Sequence, residues 1–181
     1  MNLRFYLAET KLGWMGLVLS PRGLRATTLP RSTRDDALRE AAELGAMEPA
    51  SDGEAAAAVR PVRALAEGRA ADAAALIDWE GLSANGRSID GFRRAVMEET
   101  LRIPRGETRT YGWLAEKMGR PRAARAVGRV MATNPLPIVV PCHRVVGSDG
   151  SLRGYGDSGR SRSAAGLWMK ERLLRAEGVG G

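Results

Sequence analysis

Three short, largely apolar runs open the chain and predict a β meander. Glycine-containing turns separate the runs, which cover residues 3–10 (LRFYLAET), 14–20 (WMGLVLS) and 24–29 (LRATTL). Short strands joined by such turns pair with their neighbours along the chain. We therefore expect a small antiparallel sheet in this part of the molecule.

A helical pattern follows the predicted strands. Residues 32–44 (STRDDALREAAEL) carry apolar side chains at helical spacing, and Ser32 with Asp35 forms an acidic variant of the capping pattern. The alanine-rich stretch 45–75 carries little further signal, and we expect Pro61 to prevent a single helix there. These elements predict a small α/β N-terminal domain, an antiparallel sheet with helices.

From Ser88 onward the apolar spacing becomes helical, which predicts a mostly α second domain. The segments 110–118 (TYGWLAEKM) and 122–134 (RAARAVGRVMATN) are separated by a tight turn at Gly119, and Thr110 is the expected N-cap of the first. Two short helices joined in this way are typical of a helix-turn-helix, here winged-helix-like, although a helical hairpin in any bundle shows the same pattern. In the later helix, Arg125 protrudes from a smooth face formed by Ala123, Ala124, Ala126 and Gly128.

Charge is divided unevenly along the chain. Residues 1–85 contain 10 Lys/Arg and 12 Asp/Glu, net −2, whereas residues 86–181 contain 18 and 9, net +9. The change coincides with the polar stretch 81–90, so we place the domain boundary there, with domains at 1–85 and 86–181. Arginine dominates the excess, and its guanidinium fork suits phosphate, so nucleic acid is the leading class of partner. Nucleotide bias of the genome could explain the arginine, but it explains the asymmetry less well.

The composition also excludes several kinds of chemistry. One cysteine rules out an intramolecular disulfide, and one cysteine with one histidine cannot fill the ligand shell of a structural zinc, so no metal site is expected. The longest apolar runs fall short of the roughly 20 residues that a membrane span needs. Arg4 and Glu9 stand where a signal peptide would be apolar. We expect a cytoplasmic protein that does not enter membranes, and a monomer.

The single cysteine and the single histidine are adjacent, as Cys142 and His143. A lone cysteine is most often a small buried hydrophobe. Here His143 and Arg144 supply positive surroundings that favour a thiolate, and the apolar run 137–141 (PIVVP) would hold the cysteine in a fixed place. Adjacent side chains of extended backbone point to opposite faces, so a water would bridge the sulfur and the imidazole unless the chain turns. A carboxylate should orient the other ring nitrogen, and Glu171 is one candidate among several.

At these residues the chain resembles the O6-alkylguanine-DNA alkyltransferases, the methylated-DNA-protein-cysteine methyltransferases. The resemblance is carried by PCHRVV, with AARAVGRVMATNPLPIV before it and a Gly-Tyr pair and KERLLRAEG after it, and runs from about Ile103 to Tyr155. It implies irreversible transfer of an alkyl group from guanine O6 to Cys142, once per molecule and with no cofactor. The partner would be double-stranded DNA containing O6-alkylguanine. The zinc site of some relatives has no ligands here.

The resemblance also implies a role for each candidate residue. His143 would lie between a water on Cys142 and the carboxylate of Glu171. The helix at 122–134 would enter the minor groove through Ala124, Ala126 and Gly128, and Arg125 would fill the place of the extruded base. Tyr111 would help to turn the nucleotide out. The implied pocket residues are Asn134, Met131, Pro137, the backbone carbonyl of Val145, and Tyr155.

Each of these residues also has a purely structural interpretation. Tyr111 could pack at a helix start, Met131 could belong to the core, and Asn134 could begin a turn. Arg144 is assigned a structural role under either interpretation.

The chain departs from the family pattern in several places. A Gly/Ser/Arg-rich segment at about Asp157 to Ala165 is inserted after Tyr155, next to Gly156, where the resemblance implies a backbone contact with O6. Arg129 stands where a smaller residue is common. These departures leave the chemistry intact and bear on the lesion preference.

Three alternatives from other classes stay open at this point. A lesion-binding relative without repair activity would lack the reactive cysteine. A helix-turn-helix regulator would need no nucleophile. A Cys/His hydrolase would turn over repeatedly and would leave the basic helix unexplained.

Overall fold

The computed structural model describes residues 2–84, 86–152 and 164–179, and its N-terminal part is built on a four-stranded sheet. The strands are β1 (Arg4–Thr10), β2 (Gly13–Ser20), β3 (Gly23–Thr27) and β4 (Glu48–Pro49). The first three form the predicted antiparallel meander. The short β4 pairs in parallel with β1 and completes the order β3-β2-β1-β4, so the sheet is mixed. The β1–β2 turn requires Gly13, because its φ is +124° and a Cβ there would collide with the carbonyl oxygen of Arg31.

Two helices cover opposite faces of this sheet. Helix α1 (Arg34–Glu43) packs with Phe5 of β1, whereas Tyr6, the next residue, donates to Asp52 at the start of helix α2 (Asp52–Ala66). Since successive side chains of a strand point to opposite faces, the two helices lie on opposite sides. The domain therefore buries both faces of its sheet.

Two predictions about these helices are wrong in detail. The N-cap of α1 is Thr33 rather than Ser32, because the Thr33 hydroxyl accepts from the backbone N–H of Asp36 at 3.1 Å. Pro61 does not interrupt the alanine-rich stretch but lies inside α2. The helix survives the missing N–H because a row of small side chains, Ala55, Ala58, Val62 and Ala66, is buried along it and a Ser51–Glu54 capping box fixes its start.

The chain divides into two compact units that are not contiguous in sequence. The first comprises Met1–Ser83 together with Pro135–Val139, and the second comprises Ala84–Asn134 and Val140–Gly181. Thr27 at the end of β3 holds the returning segment, since its N–H donates to the Pro135 carbonyl at 2.9 Å and its hydroxyl to the Pro137 carbonyl at 2.8 Å. No local pattern of residues predicts this return.

The second unit contains four α-helices within the described ranges. These are α3 (Gly91–Leu101), α4 (Tyr111–Lys117), α5 (Ala124–Ala132) and α6 (Ala164–Ala176). Asp90 caps α3, and Thr110 caps α4 as expected, accepting from the Trp113 N–H at 3.0 Å. A 3₁₀ turn at Pro121–Ala123 precedes α5, so the predicted helix at 122–134 is shorter at both ends.

Two pairs of two-residue strands lie in this part of the chain. β5 (Ser83–Ala84) pairs with β6 (Arg87–Ser88), and β7 (Arg109–Thr110) pairs in parallel with β8 (Val145–Val146). The β7–β8 ladder joins the start of α4 to the residues that follow the Cys-His pair. Among the residues described, no helix is long and apolar enough to cross a membrane.

Candidate reaction centre and nucleic-acid-facing helix

The Cys-His pair lies on a buried 3₁₀ turn, Cys142–Arg144. Cys142, His143 and Arg144 are 4%, 1% and 7% exposed. The turn is closed by the Cys142 N–H, which donates to the Val140 carbonyl at 2.7 Å, and by the Arg144 N–H, which donates to the Pro141 carbonyl at 2.9 Å. Because the chain turns here, the opposition of neighbouring side chains expected of extended backbone does not apply.

Asn134 fixes the sulfur of Cys142. Its side-chain N–H₂ group donates to the Val140 carbonyl at 3.0 Å and to Sγ of Cys142 at 3.1 Å. A donor directed at sulfur stabilises negative charge on it. Asn134 therefore has two effects: it holds the loop at the Val140 carbonyl, and it favours the thiolate form of Cys142.

The carboxylate that meets His143 is Glu177, which the sequence analysis did not select. Glu177 Oε1 lies 3.0 Å from His143 Nε2, and the two carboxylate oxygens also accept from Arg144 at 2.8 and 2.9 Å. Arg144 donates a further hydrogen bond to the Ile103 carbonyl at 2.6 Å. The buried arginine thus holds the carboxylate with two hydrogen bonds and is itself held by the Ile103 carbonyl.

The electrostatics of this cluster favour a neutral imidazole beside an ionised carboxylate. Burial alone would raise the pKa of Glu177, but hydrogen bonds from His143 and Arg144 outweigh it and lower that pKa to about 2. Burial lowers the pKa of His143 below its ordinary value, and Glu177 opposes the shift only in part. With Nε2–H donating to Glu177, Nδ1 is the acceptor nitrogen of the ring, and the neighbouring carboxylate can stabilise a transient imidazolium.

The prediction that Glu171 orients His143 is wrong. Glu171 is exposed, and its carboxylate accepts from Arg175 at 2.7 Å on the outer face of α6. The inner face repeats at helical spacing through Met169, Leu173 and Leu174. Glu177, just beyond the helix end, continues that inner face. The apolar periodicity of this helix is the signal that would have selected it.

Lys170 is a second residue of this face that sequence reasoning missed. It is fully buried, and its ammonium group donates to the Val145 carbonyl at 2.5 Å. Burial lowers its pKa to about 8, and the charge of Cys142 opposes the shift. The Val145 carbonyl, expected to accept from a guanine amino group, thus already accepts one hydrogen bond and keeps a second lone pair.

Helix α5 has the smooth face expected from the sequence. Ala124, Ala126 and Gly128 are only partly buried, and Arg125 is exposed. The ring of Tyr111, the first residue of α4, lies beside Gly128, where an added Cβ would be 4.0 Å from the tyrosine Cδ1. The second unit therefore carries both the reactive turn and a helix whose backbone can approach a partner closely.

The other implied pocket residues have different surroundings. Met131 is 5% exposed, and its sulfur lies 3.7 Å from the Thr100 hydroxyl, facing α3. Pro137 belongs to the first unit, where Thr27 binds its carbonyl. Tyr155, Gly156 and most of the inserted segment lie outside the described residues. Within the described ranges, no cluster of three or more Cys, His, Asp or Glu side chains could hold a metal ion.

Comparisons with known proteins agree on one family. The model of the 6-O-methylguanine DNA methyltransferase DNA-binding domain matches residues 91–179. A methylated-DNA–protein-cysteine methyltransferase from Methanosarcina acetivorans is 48% identical over 87 residues, covering 48% of this chain and 51% of that protein. One of the same name from Shigella flexneri is 49% identical over 87 residues, covering 48% and 46%. These matches span about half the length of the curated relatives.

Solved structures extend the similarity to nearly the whole chain. The O6-methylguanine-DNA methyltransferase of Pyrococcus kodakaraensis is 31% identical with a TM-score of 0.64, covering 98% of this chain and 99% of that one. The Mycobacterium tuberculosis O6-methylguanine methyltransferase is 29% identical with a TM-score of 0.72, covering 97% and 92%. The Mycobacterium tuberculosis OGT protein in complex with DNA is 30% identical with a TM-score of 0.70, covering 98% and 92%.

Proposed function

Because the chain belongs to the O6-methylguanine-DNA methyltransferase family, we propose that it repairs O6-alkylguanine in duplex DNA by irreversible transfer of the alkyl group to Cys142. The observation that carries the proposal is the buried Cys142 sulfur, held 3.1 Å from the Asn134 amide on a turn whose histidine is bonded to Glu177. Each molecule acts once and needs no cofactor. The acceptor is a residue of the chain itself.

The chemistry balances without any other reactant. The thiol proton passes through a water toward Nδ1 of His143, and Glu177 stabilises the imidazolium that forms. The thiolate attacks the alkyl carbon, so the S–C bond forms while the O6–C bond breaks and its electron pair goes to O6. The proton ends on guanine N1, which restores guanine. A thioether is stable, and this explains why the reaction stops after one transfer.

The DNA-binding side of the proposal uses α4 and α5 as a helix-turn-helix. The later helix, α5, enters the minor groove through Ala124, Ala126 and Gly128, small residues that permit close approach. Arg125 takes the place of the flipped base, and Tyr111 helps to turn the nucleotide out. Flipping costs a few kcal/mol, and least for a damaged pair, so a side chain that fills the gap lowers the barrier. Asn134, Met131, Pro137, the Val145 carbonyl and Tyr155 would surround the base.

We extend the proposal to the organisation of the protein. Residues 1–85 form a small α/β domain, and residues 86–181 carry DNA binding and alkyl transfer. The excess of positive charge in the second range, net +9, supports this division. The protein acts as a cytoplasmic monomer.

Intact mass spectrometry tests the reaction directly. Equal amounts of protein and a duplex carrying one O6-methylguanine are incubated, with Cys142→Ala as the control variant. We expect one added methyl group on the wild type alone, localised to the Cys142 peptide, together with restored guanine in the DNA. Lesion binding with no added mass would instead identify a lesion-binding protein without repair activity. Methyl loss from DNA with Cys142→Ala would show that the mechanism is wrong.

A further inference from the structure

The longest stretch without acidic residues in the chain surrounds α5. Between Glu116 and Asp149 there is no Asp or Glu, while Lys117 and five arginines lie in the same stretch. Charge of one sign concentrated on one segment sets up a local field that attracts phosphate. The position of each arginine, and whether it already forms an ion pair, determines which of them can bind phosphate.

Several arginines elsewhere in the second unit form ion pairs with carboxylates. Arg94 bonds Glu98 at 2.8 Å, Arg102 bonds Glu99 at 2.7 Å, and Arg175 bonds Glu171 at 2.7 Å. By contrast, the exposed residues Arg122, Arg125 and Arg129 make no ion pair with any residue that the structure describes. Neighbouring cations without counter-charges repel each other. An anion bound from outside the protein would relieve that repulsion.

The three arginines follow one another along the α5 region. Arg125 and Arg129 are four residues apart within α5, which places them on one face and about 6 Å apart along the axis. Arg122 lies in the 3₁₀ turn that directly precedes the helix. Gly128, Ala124 and Ala126 lie among them and add almost no bulk. The outer two guanidinium groups can therefore reach past a closely approaching helix backbone.

We propose that Arg122 and Arg129 bind backbone phosphates on either side of the groove that Arg125 enters. The inference rests on the proposed function, because it assumes that this face of α5 meets duplex DNA. Guanidinium forks bind phosphate oxygens in pairs of parallel hydrogen bonds, so each arginine contributes one phosphate contact. Phosphate contacts fix position and register and carry no sequence information, which suits a protein that must search all DNA for a rare lesion.

The salt dependence of DNA binding tests the proposal. Binding to an undamaged, fluorescently labelled duplex is measured by anisotropy between 50 and 200 mM KCl. Each phosphate contact adds about 0.9 to the magnitude of the slope of log K against log salt. We expect Arg122→Ala and Arg129→Ala each to flatten the slope by about 0.9 and Arg129→Lys to retain it.

Arg102→Ala is the matched control. It removes the same charge from an exposed arginine of the second unit that is already paired with Glu99, and we expect it to leave the slope unchanged. Wild-type slopes in both alanine variants would overturn the proposal. So would a lower melting temperature of Arg129→Ala with an unchanged slope, because Arg129 would then act only on the C-terminal end of α5.

The outcome separates this inference from the proposed function. Methyl transfer to Cys142 with unchanged slopes would overturn the phosphate contacts alone. Flattened slopes without any methyl transfer would support the phosphate contacts and overturn the repair reaction.

Discussion

Arg144 and Arg125 carry the same guanidinium group into opposite surroundings. Arg144 is 7% exposed and donates to both oxygens of Glu177 and to a backbone carbonyl. Arg125 is exposed on a helix of small residues, with no carboxylate partner among the residues described. A buried cation must be paired within the fold, because it has lost its water, whereas an exposed cation can stay hydrated until an anion arrives. Arg144 therefore stabilises the buried site, whereas Arg125 is available to contact a partner.

The difference can be tested most strongly by removing the carboxylate of the buried cluster. Glu177→Ala leaves Arg144 with an uncompensated buried charge, so we expect a loss of about 3–5 kcal/mol in the free energy of unfolding. Urea titration measures it. Glu171→Ala, which removes an exposed carboxylate of the same segment, is the control and should cost at most about 1 kcal/mol. Equal losses of unfolding free energy in Glu177→Ala and Glu171→Ala would mean that the buried cluster contributes no more stability than an exposed ion pair.

The same cluster makes the protein sensitive to acid. The folded pKa of Glu177, about 2, lies below its ordinary value of 4.5, so its contribution is present above pH 4.5 and is lost as the pH falls toward 2. The shift corresponds to about 3 kcal/mol. Burial of His143 adds a loss that begins below pH 6.5, since the unfolded chain takes up the proton more readily.

We expect Glu177→Gln to remove the part of the acid transition below pH 4.5. Unfolding free energies measured by urea titration from pH 7 to 3 check it, with Glu171→Gln as the control that keeps the wild-type profile. An unchanged profile in Glu177→Gln would assign the acid sensitivity to other carboxylates.

Lys170 sharpens the comparison, because it is a buried cation that donates to the Val145 carbonyl. Its folded pKa of about 8 lies below the ordinary 10.5, so folding opposes its charge. The free energy of unfolding should therefore rise as the pH increases from 8 to 10.5, by on the order of 2–3 kcal/mol. Lys170→Met should abolish the rise in urea titrations, and Lys117→Met, at an exposed position, should keep it. A rise that persists in Lys170→Met would contradict the assignment.

Local motifs of this protein were readable from the sequence, and long-range pairings were not. Cys142 and His143 stand out because they are the only residues of their types, and Thr110 because a hydroxyl precedes a helical pattern. Glu177 could have been selected over Glu171 by extending the apolar period of the last helix. Residue type alone does not distinguish the two carboxylates, because they differ in which face of this segment they occupy: Glu171 is exposed and Glu177 is buried.

Other features had no local signal. Residues 135–139 join the first unit through hydrogen bonds to Thr27, more than a hundred positions away in the chain. Pro61 is tolerated in a helix because burial along the helix outweighs one lost backbone hydrogen bond, a balance that local propensity does not contain. Lys170 was missed because a fully buried lysine contradicts the usual preference for exposure.

The smallest expected change in the free energy of unfolding is that of Arg125→Ala, and this variant distinguishes an arginine that contacts DNA from one that stabilises the fold. Arg125→Ala removes an exposed group without a described partner, so its free energy of unfolding should stay within about 0.5 kcal/mol of the wild type. Its methyl transfer from duplex DNA should nevertheless slow by roughly tenfold, because the gap left by the flipped base is no longer filled. The measurement is the ratio of transfer rates from duplex DNA and from the free base O6-methylguanine, with Arg94→Ala as an exposed control. If the ratio does not fall, Arg125 does not support base flipping, and the exposed arginines serve attraction to DNA alone.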